Sequence, residues 1–355
     1  EEKTAGKQRI LGQDFLEKRI KAATSYRREI LEGGDFVLPA LKAHKLKLAD
    51  EALDEVRFAG DLIISAFFAA DKDKARREKL EELRDRYVAC HTSKTFDPSL
   101  KPREAVERLR SGERAVVPFH WEIEFPEVFG RDNPGFDGFV GNPPFIGGKR
   151  ISGTCGKSFP DWLGVLHSSS SGNADIVAHF FRRAFRLLRA NGAFGLIATQ
   201  TVSMGDTRRT GLRWIANAGG VIYNVQRRIK WPGAAAVMVS RVCVSKGPAP
   251  VTNCLDGREV EQITAFLFHD GGHEDPHVLR SNWGLSNIGC DIKGQGFLFD
   301  DSDSEANPIA EMRRLLATNP ANASRILPYS GGEELTTDPL QAHRRWVISF
   351  DKMSE

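Results

Sequence analysis

Phe136-Asp137-Gly138-Phe139-Val140-Gly141-Asn142-Pro143-Pro144-Phe145 is the stretch that decides how this chain folds. A short hydrophobic run ends abruptly in Asn-Pro-Pro-aromatic. That pattern predicts a strand leading into a rigid turn at the carboxyl edge of a sheet, where open α/β folds hold their ligands. The two prolines fix φ and remove two backbone donors, and Pro144 also restricts Pro143. Two carbonyls, the Asn142 amide and the Phe145 face are left around one small space. Those groups suit an amino group on a planar heterocycle. The four letters alone also fit an ordinary proline-rich turn, so the surroundings decide.

Outward from the turn, the chain reads as a strand-helix-strand unit. Asp175 to Arg189 has an apolar stripe of Ile176, Val177, Phe180, Phe181, Ala184, Leu187 and Leu188, with Arg182, Arg186 and Arg189 off it. Asn191-Gly192 supplies a stop, and Ala193 to Thr199 is a short apolar strand. Val221 to Val225 and Ala235 to Val244 predict two more strands, joined by Gln226 to Gly233. Upstream, Phe119 to Phe129 alternates apolar and polar residues like a strand entering a turn. Gly147 to Gly172 reads as a long loop rich in Gly and Ser, a kind that is usually functional or mobile.

The 355 residues suggest two or three domains, and 41% hydrophobic with 27% charged residues describes an ordinary soluble protein with a sizeable core. Residues 1–115 read as a helical region, with a buried segment from Glu55 to Ala70 and a charged helix from Asp71 to Leu83. Phe15, Ile20, Leu31, Phe36 and Leu38 mark its early apolar positions. Residues 116–248 hold the strand-helix-strand core, and Pro248, Pro250 and Asn253 open a linker into 249–355.

The net charge of +3 hides an asymmetry. Between Arg182 and Lys230 stand nine arginines and one lysine, and the only acid is Asp206. Such an excess is the footprint expected for a phosphate backbone, though a solvated helix face with scattered arginines gives the same letters. Five widely spaced cysteines without metal-ligand spacing point to free thiols in a reducing, cytoplasmic compartment. No run approaches the roughly 18 apolar residues of a membrane span. His269, His273 and His277 lie close, but two glycines and a proline break any helical ligand face, so no metal is expected. With no signal-peptide form and no initiating Met, the chain reads as a fragment cut at both ends.

Three landmarks carry a family resemblance. The first runs from Pro118 through Phe129 to Asn142-Pro143-Pro144-Phe145; the second is Lys230-Trp231-Pro232-Gly233-Ala234-Ala235-Ala236-Val237. The third is Leu327 to Leu335 followed by His343 to Phe350. Together they resemble the DNA adenine-N6 methyltransferases of the TaqI-like (gamma) order, in particular the large type IIG, MmeI-like and DISARM-like restriction-modification and phage-defence enzymes. The resemblance implies an α/β fold: part of a Rossmann-like class I methyltransferase sheet, with an N-terminal helical region and the start of a C-terminal target-recognition domain. It implies S-adenosylmethionine as cofactor and double-stranded DNA as partner, with other defence-system subunits as further candidates.

The site residues follow from the same resemblance. Asn142, Pro143, Pro144 and Phe145 are the catalytic set. The Asn142 side-chain oxygen and the Pro143 carbonyl would accept the two N6 hydrogens of a flipped adenine. Phe145 would stack on one face of the base and Trp231 on the other, although Trp231 also reads as a core tryptophan at a strand end. Arg208, Arg209, Arg213, Arg227 and Arg228 would meet phosphates, while each alone also fits a surface role. Tyr329, Glu333 and Arg344 are exposed-looking candidates without a defined role.

One departure limits the resemblance. The family carries a Phe-x-Gly-x-Gly cofactor loop and an acidic residue upstream of Asn-Pro-Pro-Phe, and Gly33-Gly34-Asp35 is the nearest, poor match here. The loop is expected before Glu1, and turnover by this chain alone is not expected. Two alternatives remain open. One is an amino-methyltransferase acting on RNA guanine or protein glutamine; the other is a non-catalytic DNA-binding module.

Overall fold

The computed structural model describes residues 2–34, 37–92, 101–231, 237–277 and 294–350. Asp35, Phe36, Pro232 to Ala236 and Cys290, used in the sequence reading, lie outside the described residues. The chain divides into two compact units, residues 1–275 and 276–355.

The first unit opens with helices α1 (Glu2–Glu32), α2 (Pro39–Phe68), α3 (Asp73–Thr92) and α4 (Arg103–Arg110). Pro39 starts α2, where its missing N–H costs nothing. Ala23 of α1 meets Ala49, Ala52 and Leu53 of α2, and the three alanines let the two helices approach closely around the buried leucine. Further along α2, Leu62 and Ala66 pack with Leu83 of α3 and Val106 of α4. Two short helices follow, α5 (Trp121–Glu124) and α6 (Pro126–Phe129). A bidentate pair from Arg57 of α2 to Glu124, at 2.7 and 2.8 Å, fastens this segment to the helical layer. That guanidinium holds the Glu124 carboxyl below its ordinary range despite partial burial.

Within residues 119–129 the chain thus forms two short helices, Trp121–Glu124 and Pro126–Phe129, and not the strand their alternation predicts. Pro126 cannot donate to a strand ladder and sits instead at the start of α6. The alternating aromatics serve another purpose. Trp121, Phe125 and Phe129 surround Phe136 with ring centroids 5.6, 5.2 and 5.5 Å away. The first landmark is thus a packing unit that anchors the start of the next strand.

That strand, β1 (Phe136–Gly141), belongs to a six-stranded sheet with β2 (Leu188–Thr199), β3 (Gly220–Lys230), β4 (Met238–Lys246), β5 (Cys254–Leu255) and β6 (Arg258–Glu259). Their order is β1-β2-β4-β3-β5-β6. β1 and β2 are parallel, with Gly141 opposite Leu196. β4 lies antiparallel between β2 and β3, so β1, β2 and β3 run the same way. β5 joins β3 in parallel, and β6 closes back on it. The division expected between residues 248 and 249 thus falls between β4 and β5 of one sheet.

The crossover from β1 to β2 carries α7 (Gly148–Cys155), α8 (Phe159–Leu166) and α9 (Ile176–Leu187). The stretch expected to be a long loop is thus largely helical, because Ile151, Leu163 and Ile176 close a small core of their own. Val177, Phe181 and Phe185 of α9 bury against Phe194, Leu196, Val242 and Val244 of the sheet. Fully burying side chains of this size is worth roughly 1.5–3 kcal/mol each.

Arg182, expected off the apolar stripe, is instead fully buried. Its guanidinium lies 4.1 Å over the Trp214 ring and donates to the Ser168 carbonyl at 3.0 Å. Residues 167–173 and the helical run after β2 cover that side of α9. The run comprises α10 (Gly205–Arg208), a π-helical turn over Arg209–Arg213, and α11 (Trp214–Asn217).

The second unit is a three-stranded sheet of β7 (Leu298–Phe299), β8 (Ile326–Tyr329) and β9 (Arg345–Ile348), in the order β7-β9-β8. Helix α12 (Ile309–Thr318) puts Met312 on Phe299 and Ile326. Helix α13 (Gly332–Thr337) carries Glu334, which takes two hydrogen bonds from Arg345 at 2.5 and 2.6 Å.

Candidate active site

Asn142 to Phe145 leave the carboxyl end of β1. Asn142 and Pro144 are exposed, Pro143 is buried, and Phe145 is half-buried with its ring against the main core. The downstream limb is held from outside. Ile146 N–H donates to Asp175 Oδ1 at 3.2 Å, and the Ile146 carbonyl accepts from Ile176 N–H at 3.0 Å. Gly148 lies so close to the Asn173 backbone that a Cβ there would stand 2.3 Å from the Asn173 carbonyl carbon.

β2 and β3 end on the same edge as β1. β2 stops at Thr199, and Trp231 directly follows β3, its N–H donating to the Val237 carbonyl at 3.0 Å. Trp231 is half-buried. β2 and β4 stand between β1 and β3, so Asn142 and Trp231 share an edge at opposite sides of a gap of three strand spacings, about 14 Å. Among the described residues β1 pairs on one side only, and Val140 is 97% exposed. On the face away from α9, Val140, Ile197, Tyr223, Arg241 and Cys243 border an open concavity of about 490 Å³.

The five arginines differ in what holds them. Arg208 is buried; it lies 3.8 Å over the Phe266 ring and donates to the His273 carbonyl and the Asp275 carboxylate. Burial pushes its pKa down, while Asp275 pulls it back. Arg213 pairs with Asp275 at 3.0 Å and Glu274 at 3.3 Å, and Arg209 with Asp206 at 2.6 Å. Arg227 takes Asp256 at 2.8 Å and also donates to the Leu267 carbonyl at 3.0 Å. Arg228 is exposed, at φ +55, where the register of β3 against β4 shifts.

Two further cations escaped the sequence reading. Lys149 and Arg150 lie in the first turn of α7, just beyond the candidate turn, and both are exposed. Among the described residues neither is in an ion pair. Their signal was a basic pair directly following Gly147-Gly148, a position where the α7 dipole opposes them.

Behind the turn, the His167 and His179 rings lie 5.1 Å apart. Burial, with the neighbouring His179 and arginines, holds His167 at about 3. Burial and Arg182 hold His179 at about 4. Among the described residues no group of His, Cys, Asp or Glu is gathered to hold a metal, and no helix is long and apolar enough to cross a membrane. In the second unit, Tyr329 ends β8 with Arg345 5.1 Å over its ring, and Arg344 pairs with Asp338 at 3.2 Å.

Comparison with curated proteins gives no match. Solved structures with similarity to the chain include the type IIL restriction-modification enzyme MmeI, in a structure titled as a complex with DNA. The identity is 15% and the TM-score 0.42, over 79% of this chain and 37% of that one. The chain therefore spans little more than a third of the length of that structure. Residues 46–218, from within α2 to just past α11 and including the Asn142 turn, match the model of the Eco57I restriction-modification methylase family.

Proposed function

We propose that this chain forms the base-holding part of a site-specific DNA adenine-N6 methyltransferase of a restriction-modification or phage-defence system. The observation that carries the reading is the exposed Asn142 in a proline-stiffened turn at the carboxyl end of a parallel strand, inside the stretch that matches a restriction-modification methylase family.

Exocyclic N6 is a poor nucleophile because its lone pair is delocalised into the ring. The Asn142 side-chain oxygen and the Pro143 carbonyl accept its two hydrogens and favour a pyramidal nitrogen with an available lone pair. Positioning and fixed dipoles do this without an activated nucleophile. The adenine first leaves the duplex. Phe145 then covers one face and Trp231, from the far side of the same sheet edge, closes over the other. Stacking of this kind is worth about 1–3 kcal/mol per base. Lys149, Arg150, Arg228 and the exposed Lys230 supply cations for the flanking phosphates.

S-adenosylmethionine is the methyl donor in this reading. Ahead of β1 the described residues are helix and turn without a strand, and Gly33-Gly34 ends α1, with Gly34 at φ +54. Those residues do not fit the cofactor. Among the described residues the free edge of β1 offers unpaired backbone N–H and C=O groups, to which a further strand can add.

In the intact protein, Asn142→Ala is expected to abolish methyl transfer to duplex DNA while DNA affinity stays within a few fold. Near-normal turnover in that variant would sink the mechanism. Transfer to RNA or to a protein glutamine, with none to DNA, would move the same turn to another substrate class.

A further inference from the structure

We propose that Asp175 is a positioning residue for the Asn142–Phe145 turn, acting through the backbone of Ile146; this rests on the reading of that turn as the base pocket. Pro143 and Pro144 have no N–H, so between Asn142 and Gly147 only Phe145 and Ile146 bring a backbone donor. A turn so short of donors cannot be held in place by its own ladder. It has to be fixed from outside.

Asp175 does this with an atom that already has a task. Its Oδ1 caps α9 by accepting Val177 N–H at 3.0 Å, and the same oxygen accepts Ile146 N–H at 3.2 Å. The Ile146 carbonyl takes the Ile176 N–H at 3.0 Å. Both backbone groups of the residue after Phe145 are thus bonded to the start of α9. A helix cap needs only the first of these bonds. The second reaches 29 residues back along the chain, to the candidate site.

The clamp has a rigid backing. Asp175 is buried, and its own N–H donates to Thr207 Oγ1 at 3.1 Å. Thr207, also buried, stands on α10 just beyond the carboxyl end of β2. Asp175 therefore ties the segment leaving β1 to the segment leaving β2. Ile146 is packed against Ile151, Leu163 and Ile176, and Gly148 is pressed on Asn173, so the limb has little room to move once the bond forms.

Two substitutions separate the cap from the clamp. Asp175→Asn keeps an oxygen at the same reach, whereas Asp175→Ser still caps α9 with a side chain one atom shorter. In the intact protein, Asp175→Asn should keep kcat within about threefold. Asp175→Ser should stay folded, bind DNA with unchanged affinity and KM, and lose kcat on the order of 10- to 100-fold, the size expected for a misplaced reacting group. Amide hydrogen exchange at Ile146 should speed up in Asp175→Ser only. Wild-type kcat per folded molecule in Asp175→Ser, or an unchanged Ile146 exchange rate, overturns the proposal. If the wild-type protein methylates no DNA, the base-pocket reading fails by itself, and the Ile146 exchange rate still decides whether Asp175 sets the turn.

Discussion

Arg208 is fully buried and carries its charge to the carboxylate of Asp275, 67 residues further along the chain. With the His273 carbonyl and the Phe266 ring, this pair fastens the segment after β6 onto α10. Removing one partner of such a pair leaves the other uncompensated. Asp275 is about half exposed, so solvent screens part of the loss. Asp275→Ala is expected to destabilise the protein by about 1–3 kcal/mol, read as a lower urea midpoint at unchanged m. Adding Arg208→Met should recover part of that loss in a double-mutant cycle. Purely additive effects would show that the pair contributes nothing.

Acid should weaken the fold before any carboxylate partner is lost. His167 and His179 titrate in the folded protein at about 3 and about 4, below the ordinary histidine value. From about pH 6.5 downward the unfolded chain takes up two protons that the folded chain refuses. The stability these residues permit is complete above that pH and falls as pH drops towards 4. Carboxylates held low by arginine, such as Glu124, stay ionised in the upper part of this window. Unfolding free energy measured between pH 7 and 5 should therefore decline with pH, the buried pair contributing a slope approaching two protons and His273, also held low by burial, adding to it. His179→Gln should reduce the slope by about one. A flat profile over that range would contradict the buried neutral pair.

The sequence made the strand-helix-strand unit legible for physical reasons. The apolar run of β1 ends in prolines, α9 has helical periodicity, and β2 is a short apolar run from Ala193 to Thr199. What local pattern could not show was which surfaces would be covered later. Arg182 looked like a solvated helix residue because Ser168 and Trp214, its contacts, come from other segments. The aromatics of 119–129 looked like strand alternation because clustering on Phe136 produces the same letters. The site divides in the same way. The Asn142 turn was readable from its prolines, whereas the excess of arginine looked free for phosphate because Asp275 and Asp256, their partners, lie outside that stretch. Nor could spacing reveal that β4 inserts between β2 and β3, which sets Trp231 three strand spacings away from β1.

That separation makes Trp231 testable. A ring about 14 Å along the edge from Asn142 has to swing or be carried inward to meet a flipped base. With 2-aminopurine at the target position, the intact protein should raise fluorescence on binding, and Trp231→Ala should lower that rise. The half-buried ring should also cost little stability when removed compared with the 3–5 kcal/mol typical of a core aromatic. An unchanged fluorescence signal with a large stability loss would return Trp231 to the core.

Lys149 and Arg150 should differ from Arg208 in how they respond to salt. Each phosphate neutralised by a cation releases counterions, and the slope of log K against log salt concentration changes by about 0.9 per contact on duplex DNA. Both side chains are exposed beside the Asn142 turn and unpaired among the described residues, so their charge is available. Replacing both with alanine should reduce the magnitude of the slope by nearly two units and weaken binding to all sequences alike. Arg208→Met should leave the slope unchanged, because that charge is already taken by Asp275 inside the fold. A slope that moves with Arg208 and not with the pair on α7 would mean that DNA approaches α10 instead, opening the Asp275 contact as it binds.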